Sequence, residues 1–559
     1  MIIRLIGILL VQLSFIHPVV AEVVFDGSLG PNVSLEGPQF DIEANHGKLY
    51  GGNLFHSFQQ FNLDKGDIAT FSGPDTVNNI IGRVTGGVSS IDGTLHSTIP
   101  QVNLYLLNSE GFIFGENAEL KLPGSFYITT ANRLYLNDSG VFSTKLGSSS
   151  VLTSSPPSSF GFLDNGKIII ENSKLGVVKD KTLAISSSEI NIDGGRLRAT
   201  SGRISLTTTD GNKITSKNSI TMKNNTTVDV GKQGNGDIYI SSGQLFMYKS
   251  TIVTSTGVGD NSGVIDIEVG SLLLDDGANI ESRALYVDQK GNNIVLNVDG
   301  KAVLKQKSKI RTSSHSRKDQ AGNSGNIILN ASSLNLSNDS LISTTTYGQG
   351  FGGNIEITIT RNTNVDSALI SADSLGFGNA GNIHLNTANL IMNNGTISTA
   401  TDKARGGNIT INARTLLKLS DSKLTVKVSG GFGNGGNIAI GNPNFFNMKN
   451  SYIRADASGG NGGMILIVTG TPKEIYNSEI TASSETGIDG GVKIDGIYNV
   501  GVTVLPIDFL DTNILIKHNC AANTSTEYSS FFIKGRGGLP NAPDDLQSYF
   551  PNYSESSAK

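Results

Sequence analysis

The fold class predicted by this sequence of 559 residues is all-β, in the form of a parallel β-helix. Three observations predict it. A phrase of glycines, often Asn, then Ile-x-Ile or Ile-x-Leu returns along the second half of the chain at a nearly constant interval. Within each copy, apolar residues alternate with period two, which is strand geometry. The composition is rich in Gly (67) and lacks Trp, and only 16% of residues are charged, which does not fit a soluble α-helical protein.

The copies read Gly325-Asn326-Ile327, Gly353-Asn354-Ile355, Gly381-Asn382-Ile383, Gly407-Asn408-Ile409 and Gly436-Asn437-Ile438, with looser ones at Ile238, Ile265, Ile294 and Ile465. Successive Ile positions lie 26 to 33 residues apart, and a second apolar position follows 14 or 15 residues downstream, as at Ile342, Ile370, Ile397 and Ile453. Three short strands per copy cannot bury their inner faces alone, but stacked copies can, each strand pairing in parallel with its equivalent in the next coil. At ~4.8 Å per coil, about twenty coils would make a rod of roughly 100 Å. The paired glycines are expected to supply positive φ at a coil corner. Asn326, Asn354, Asn382, Asn408 and Asn437 are placed to stack there as an amide ladder, a structural corner role preferred to a ligand-binding row.

The N-terminus departs from this pattern. Arg4 supplies a positive charge, Leu5 to Ile16 is an almost continuous apolar stretch, and Pro18 precedes Val19-Val20-Ala21. That is a secretory signal peptide over 1–21, too short and wrongly flanked for a membrane anchor. No later apolar run reaches 18 residues, so no transmembrane segment is expected in the mature chain. Cys520 is the single cysteine, so no intramolecular disulfide staples the fold. The formal net charge of -5 argues against nucleic acid, and the 37% apolar content argues against a disordered chain.

Residues 22–165 are strand-like but less regular. Their phrases run Leu54-Phe55-His56-Ser57-Phe58-Gln59-Gln60-Phe61-Asn62, then Asn79-Ile80-Ile81-Gly82-Arg83-Val84-Thr85-Gly86-Gly87, Ser90-Ile91-Asp92-Gly93-Thr94-Leu95, Asn103-Leu104-Tyr105-Leu106-Leu107-Asn108 and Gly111-Phe112-Ile113-Phe114-Gly115. This order resembles the haemagglutination-activity domain of filamentous haemagglutinin-like exoproteins, the N-terminal domain of two-partner secretion. The resemblance continues through Phe160-Gly161-Phe162-Leu163 and returns near the end in Ser529-Ser530-Phe531-Phe532-Ile533 and Gly535-Arg536-Gly537-Gly538-Leu539-Pro540. It implies a right-handed parallel β-helix capped at its N-terminus by the secretion domain. It also implies a partner, an outer-membrane β-barrel transporter with POTRA domains, and a product secreted by or held on the surface of a Gram-negative-type bacterium. The domains read as 22–165 secretion domain, 166–233 β-helix continuation, 234–497 repeats, and 498–559 cap and tail.

Two secretion motifs of that family, Asn-Pro-Asn-Leu and Asn-Pro-Asn-Gly-Ile, align to Gln101-Val102-Asn103-Leu104 and Asn108-Ser109-Glu110-Gly111-Phe112, both without the proline. The secretion-motif residues are thus Asn103, Leu104, Asn108, Gly111 and Phe112. A turn role, with secretion failing when the turn fails, is preferred to direct recognition by the transporter.

No catalytic site, metal site or cofactor is read. Asp275-Asp276 and Asp544-Asp545 are adjacent pairs, and neighbours on a strand point to opposite faces, which does not suit acid/base hydrolysis. The histidines show no metal-type spacing, His56 reads as a packed core residue, and no glycine-rich phosphate loop is present. The basic stretch Lys301 to Lys318 reads first as a solvated strand face. The function expected is a secreted, adhesin-like surface protein, not an enzyme, with a host-cell or glycan surface as its possible ligand. The alternatives are a β-helical carbohydrate-active enzyme and a scavenging or toxin-delivery exoprotein.

Overall fold

The computed structural model describes residues 22–495 except 211–214, 216, 232–235, 257–262, 286–288, 316–321, 442 and 470–472. The expected signal peptide, the tail 498–559 with Cys520, Asp544-Asp545 and the C-terminal phrases lie outside the described residues. Strands make up 58% of the described residues, in a β-solenoid of about 16 turns. The expected count of twenty referred to the whole mature chain. The described residues contain one 3-10 turn, Ala44–His46, and no α-helix. The chain divides into two compact units, Met1–Ile280 and Glu281–Lys559.

In the second unit the alternation of apolar residues becomes three parallel stacks. The first runs Ile327, Ile355, Ile383, Ile409, Ile438, Ile465 and Val492 in direct register. The second runs Leu334, Thr363, Leu390, Leu417 and Phe446. The third runs Ile342, Ile370, Ile397, Leu424, Ile453 and Ile480. Nearly every member is fully buried, because period two sends alternate side chains into the coil interior and each coil roofs the one below. An isoleucine buried this way contributes about 1.5–3 kcal/mol.

The two kinds of corner use different chemistry. Between the second and third strands, Asn338, Asp339, Ser367, Asn394, Asp421, Asn450 and Asn477 adopt positive φ, between 43° and 60°. The expectation that the paired glycines serve this purpose is corrected: the repeated glycines before Asn are not at positive φ. Their cause is close approach. A Cβ on Gly381 would lie 1.9 Å from the Gly353 carbonyl oxygen, and one on Gly436 1.8 Å from that of Gly407.

In the first unit, one inner stack runs Leu54, Ile80, Leu104, Phe126, Leu183, Ile204, Ile238 and Ile265. A parallel four-stranded sheet adds Gln39–Ile42, Ile68–Phe71, Thr94–Ser97 and Glu119–Lys121. The strand Glu22–Phe25 runs antiparallel along Asn53–Asn62 and pairs with Ser34–Leu35. An antiparallel three-stranded sheet of Arg133–Leu136, Val141–Ser143 and Pro157–Gly161 interrupts the coil series.

Candidate functional site

The residues read as secretion motifs lie on two successive parts of one coil in the first unit. Asn103 opens the strand Asn103–Leu107, and Gly111 opens Gly111–Phe114. Between them Asn108 closes a turn, its carbonyl accepting from Gly111 N–H at 3.1 Å. The Asn108 side chain, 1% exposed, fixes that turn from both ends. Its Oδ1 accepts from Glu110 N–H at 3.0 Å, and its Nδ2 donates to Gly87 O at 2.9 Å and Ser89 Oγ at 3.0 Å, reaching the preceding coil. Gly111 has φ +125°, and a Cβ there would lie 2.5 Å from Lys167 O, so this glycine is required twice over. Leu104 and Phe112 are fully buried in the coil interior.

Asn103 belongs to a side-chain ladder. Its Nδ2 donates to Asn79 Oδ1 at 3.1 Å, and Asn79 Nδ2 donates to Asn53 Oδ1 at 2.9 Å. Asn53 Nδ2 reaches Thr153 O at 3.0 Å and Ser155 O at 2.7 Å, in the inserted segment. Asn103 Oδ1 accepts from Ser125 N–H at 3.0 Å, continuing to the next coil. The signal for Asn53 and Asn79 was present, since each opens a strand one coil before the next.

Arg83 escaped sequence reasoning, although it stands in the quoted phrases. Its buried guanidinium donates from Nε to Ser57 Oγ at 2.7 Å and from Nη2 to Ser28 Oγ at 2.9 Å, and from Nη1 to the Ser143 carbonyl. It lies 4.8 Å over the Phe142 ring. One side chain thus joins the N-terminal strand region, the coil wall and the inserted sheet. Burial lowers its pKa, and Asp26 opposes that shift. Asp26 accepts from Ser57 Oγ at 2.5 Å and Ser28 N–H at 2.9 Å. Burial raises its pKa, but hydrogen bonds from Ser28 and Ser57 and the charge of Arg83 leave it below the usual carboxylate range.

The inserted sheet explains why these early strands lack clean alternation. Phe55, Ile81 and Tyr105 form a column on the outer face of the coil wall. Leu134, Leu136 and Phe142 of the insert cover that column, so both faces of the wall are buried. Tyr127, one coil further, stacks on Tyr105 with ring centroids 4.3 Å apart.

His56 sits fully buried among Phe25, Phe58 and Phe71, with ring centroids 6.0 to 6.1 Å away. Burial drives its pKa down to about 3, against the opposing pull of the His46 backbone. The imidazole is neutral packing and does not face solvent.

The asparagines at the repeated corner fall in the second unit, apart from the motif residues. The backbone N–H of Asn354, Asn382, Asn408, Asn437 and Met464 each donates, at 2.9 Å, to the Oδ1 of the asparagine one coil earlier. The row is a side-chain-to-backbone ladder, with a direct amide–amide contact only from Asn382 to Asn354, at 3.3 Å. Of the aspartate pair, Asp275 is buried and Asp276 exposed, the two facing different environments. Among the described residues no group of three His, Cys, Asp or Glu side chains is placed to hold a metal.

Residues 21–267 match the family described as the TPS secretion domain, in which TPS denotes two-partner secretion. The matched region contains the motif turn, the Arg83 cluster and the coils that follow to residue 267. Among solved structures, the HMW1 secretion domain from Haemophilus influenzae is similar at 12% identity and a TM-score of 0.33, over 84% of this chain and 98% of that one. No curated protein matches the chain.

Proposed function

The chain is a two-partner secretion exoprotein by virtue of its domain over residues 21–267, and from that premise we propose that it is an adhesin-like surface protein. Its transporter is an outer-membrane β-barrel whose periplasmic POTRA domains receive the N-terminal unit. The observation that carries the transporter half is the buried, doubly fixed turn at Asn108 and Gly111, next to a cap clamped by Arg83. The motif residues are largely sequestered, so their role is to set the shape of the coil that the transporter reads. Adhesion is supported by the second unit, where Phe351, Phe377, Phe432 and Tyr476 stand exposed outside the buried inner stacks. We read its action as binding; at the one described aspartate pair, Asp275 is buried and Asp276 exposed, which does not suit a shared acid/base site there.

Calorimetry of the purified chain with the transporter's POTRA domains tests the first half, and attachment of protein-coated beads to cells tests the second. Saturable binding and attachment are expected. A chain that binds no POTRA domain, or beads that attach no better than uncoated ones, would overturn the corresponding half.

A further inference from the structure

Two parallel rows of asparagine run along the repeated corner of the second unit. The first holds Asn326, Asn354, Asn382, Asn408 and Asn437, each giving its Oδ1 to the backbone of the next coil. The second lies three positions earlier. Asn323, Asn379, Asn434 and Asn461 accept from the N–H groups of Phe351, Arg405, Asn461 and Ile488 at 2.8 to 3.1 Å. A backbone N–H can meet only the oxygen end of an amide, so these contacts fix every side chain the same way round. The Nδ2 groups are left over. Among the described residues, only that of Asn382 donates to protein, toward Asn354.

The corner therefore presents Nδ2 donors, while each Oδ1 is already engaged by a backbone N–H of the next coil. A hollow of about 340 Å³ lies between the rows, lined by Asn323, Asn326, Asn354, Asn379 and Asn382, with Phe351 and Lys290 among its remaining walls. Beside the rows stand exposed aromatic rings, Phe377 at 57% and Phe432 at 93%. Lys403 Nζ lies 4.3 Å over the Phe377 ring, and Arg405 is exposed in the same loop, with Asp402 as that loop's exposed carboxylate.

We propose that this corner binds an extended anionic polysaccharide. Sugar faces pack on Phe377 and Phe432, while carboxylate oxygens accept from the Nδ2 rows, Lys403 and Arg405. The Nδ2-rich lining and the positive charge of Lys290, Lys403 and Arg405 favour an acceptor-rich, negatively charged chain. The coil spacing of ~4.8 Å is close to the length of one pyranose unit, so successive sugars meet equivalent sites. This deepens the adhesin reading by naming the ligand class.

The test is calorimetry of the purified full chain with polygalacturonate oligomers, with dextran as the neutral comparison. An Asn354→Asp/Asn408→Asp variant keeps the Oδ1 acceptors of the ladder but removes two Nδ2 donors that have no protein partner among the described residues and adds two negative charges. Asn394→Asp adds one such negative charge at the other corner. Polygalacturonate should bind and dextran should not. The double variant should bind at least about tenfold more weakly with an unchanged melting temperature, Phe432→Ala should also weaken binding, and Asn394→Asp should match wild type. No polygalacturonate binding, equal binding of dextran, or equal weakening by Asn394→Asp would overturn the proposal. Bead attachment to cells, measured on the same variants, separates this outcome from the adhesin reading. Attachment that survives loss of polygalacturonate binding would sink the polysaccharide alone.

Discussion

At Asn108, a single amide joins its own turn to the preceding coil through Glu110, Gly87 and Ser89. Asn108→Ala should cost about 1–3 kcal/mol, because buried partners lose their hydrogen bonds; the midpoint of urea unfolding reads it directly. His56 makes a pH prediction. Its pKa falls from 6.5 in the unfolded chain to about 3 in the core. Above 6.5 both states are neutral there and its contribution to stability is fully present. As pH drops from 6.5 toward 3, the unfolded chain takes up a proton that the core refuses. Stability is then lost at up to ~1.4 kcal/mol per pH unit. Unfolding midpoints of wild type and His56→Leu between pH 6 and 4 should diverge in slope, the variant being the flatter; parallel slopes would show that His56 is not the group responsible.

At the scale of the coil, the same sequence phrase performs two jobs that only the structure separates. The glycine before each corner asparagine is there because the preceding coil's carbonyl occupies the Cβ position. Gly407→Ala, whose Cβ would lie 1.9 Å from Gly381 O, should therefore force the coils apart. A cost of about 1–3 kcal/mol is expected, seen as faster amide exchange in Ile409–Ser420 and little change in coils distant from it. Substituting Ile383, buried in the first inner stack, by Ala should cost about 2–5 kcal/mol, also measurable by urea unfolding. Sequence alone predicted the three stacks of the second unit correctly, since a one-sided strand shows its inner face as period two. It gave the wrong cause for the glycines, because distance between coils is not encoded in the local pattern. Positive φ went to the asparagines, aspartates and serine of the other corner, as at Asn394 and Asp421.

For the molecule as a whole, legibility differs between the two units for a physical reason. In the second unit each copy sees nearly the same surroundings, so repetition in the sequence reports repetition in space. In the first, the insert 133–161 covers the outer column Phe55, Ile81 and Tyr105. Strands buried on both faces, such as Asn79–Val84, lose the period-two alternation of buried and exposed positions, and their pairing is hidden. Arg83 was equally hidden, because its partners Ser28, Ser57 and Ser143 are remote in sequence. The motif positions could be named from the sequence, whereas their burial and the cross-coil reach of Asn108 depend on the stacking. The most direct measurement is export of the intact chain from cells with and without the barrel transporter, beside a Gly111→Pro variant. Proline cannot adopt φ +125° and removes the N–H that Asn108 O accepts. Wild-type chain should reach the medium or cell surface only with the transporter, and the variant should stay in the periplasm. Export without the transporter, or export of the variant at the wild-type level, would contradict a secretion unit shaped by that turn.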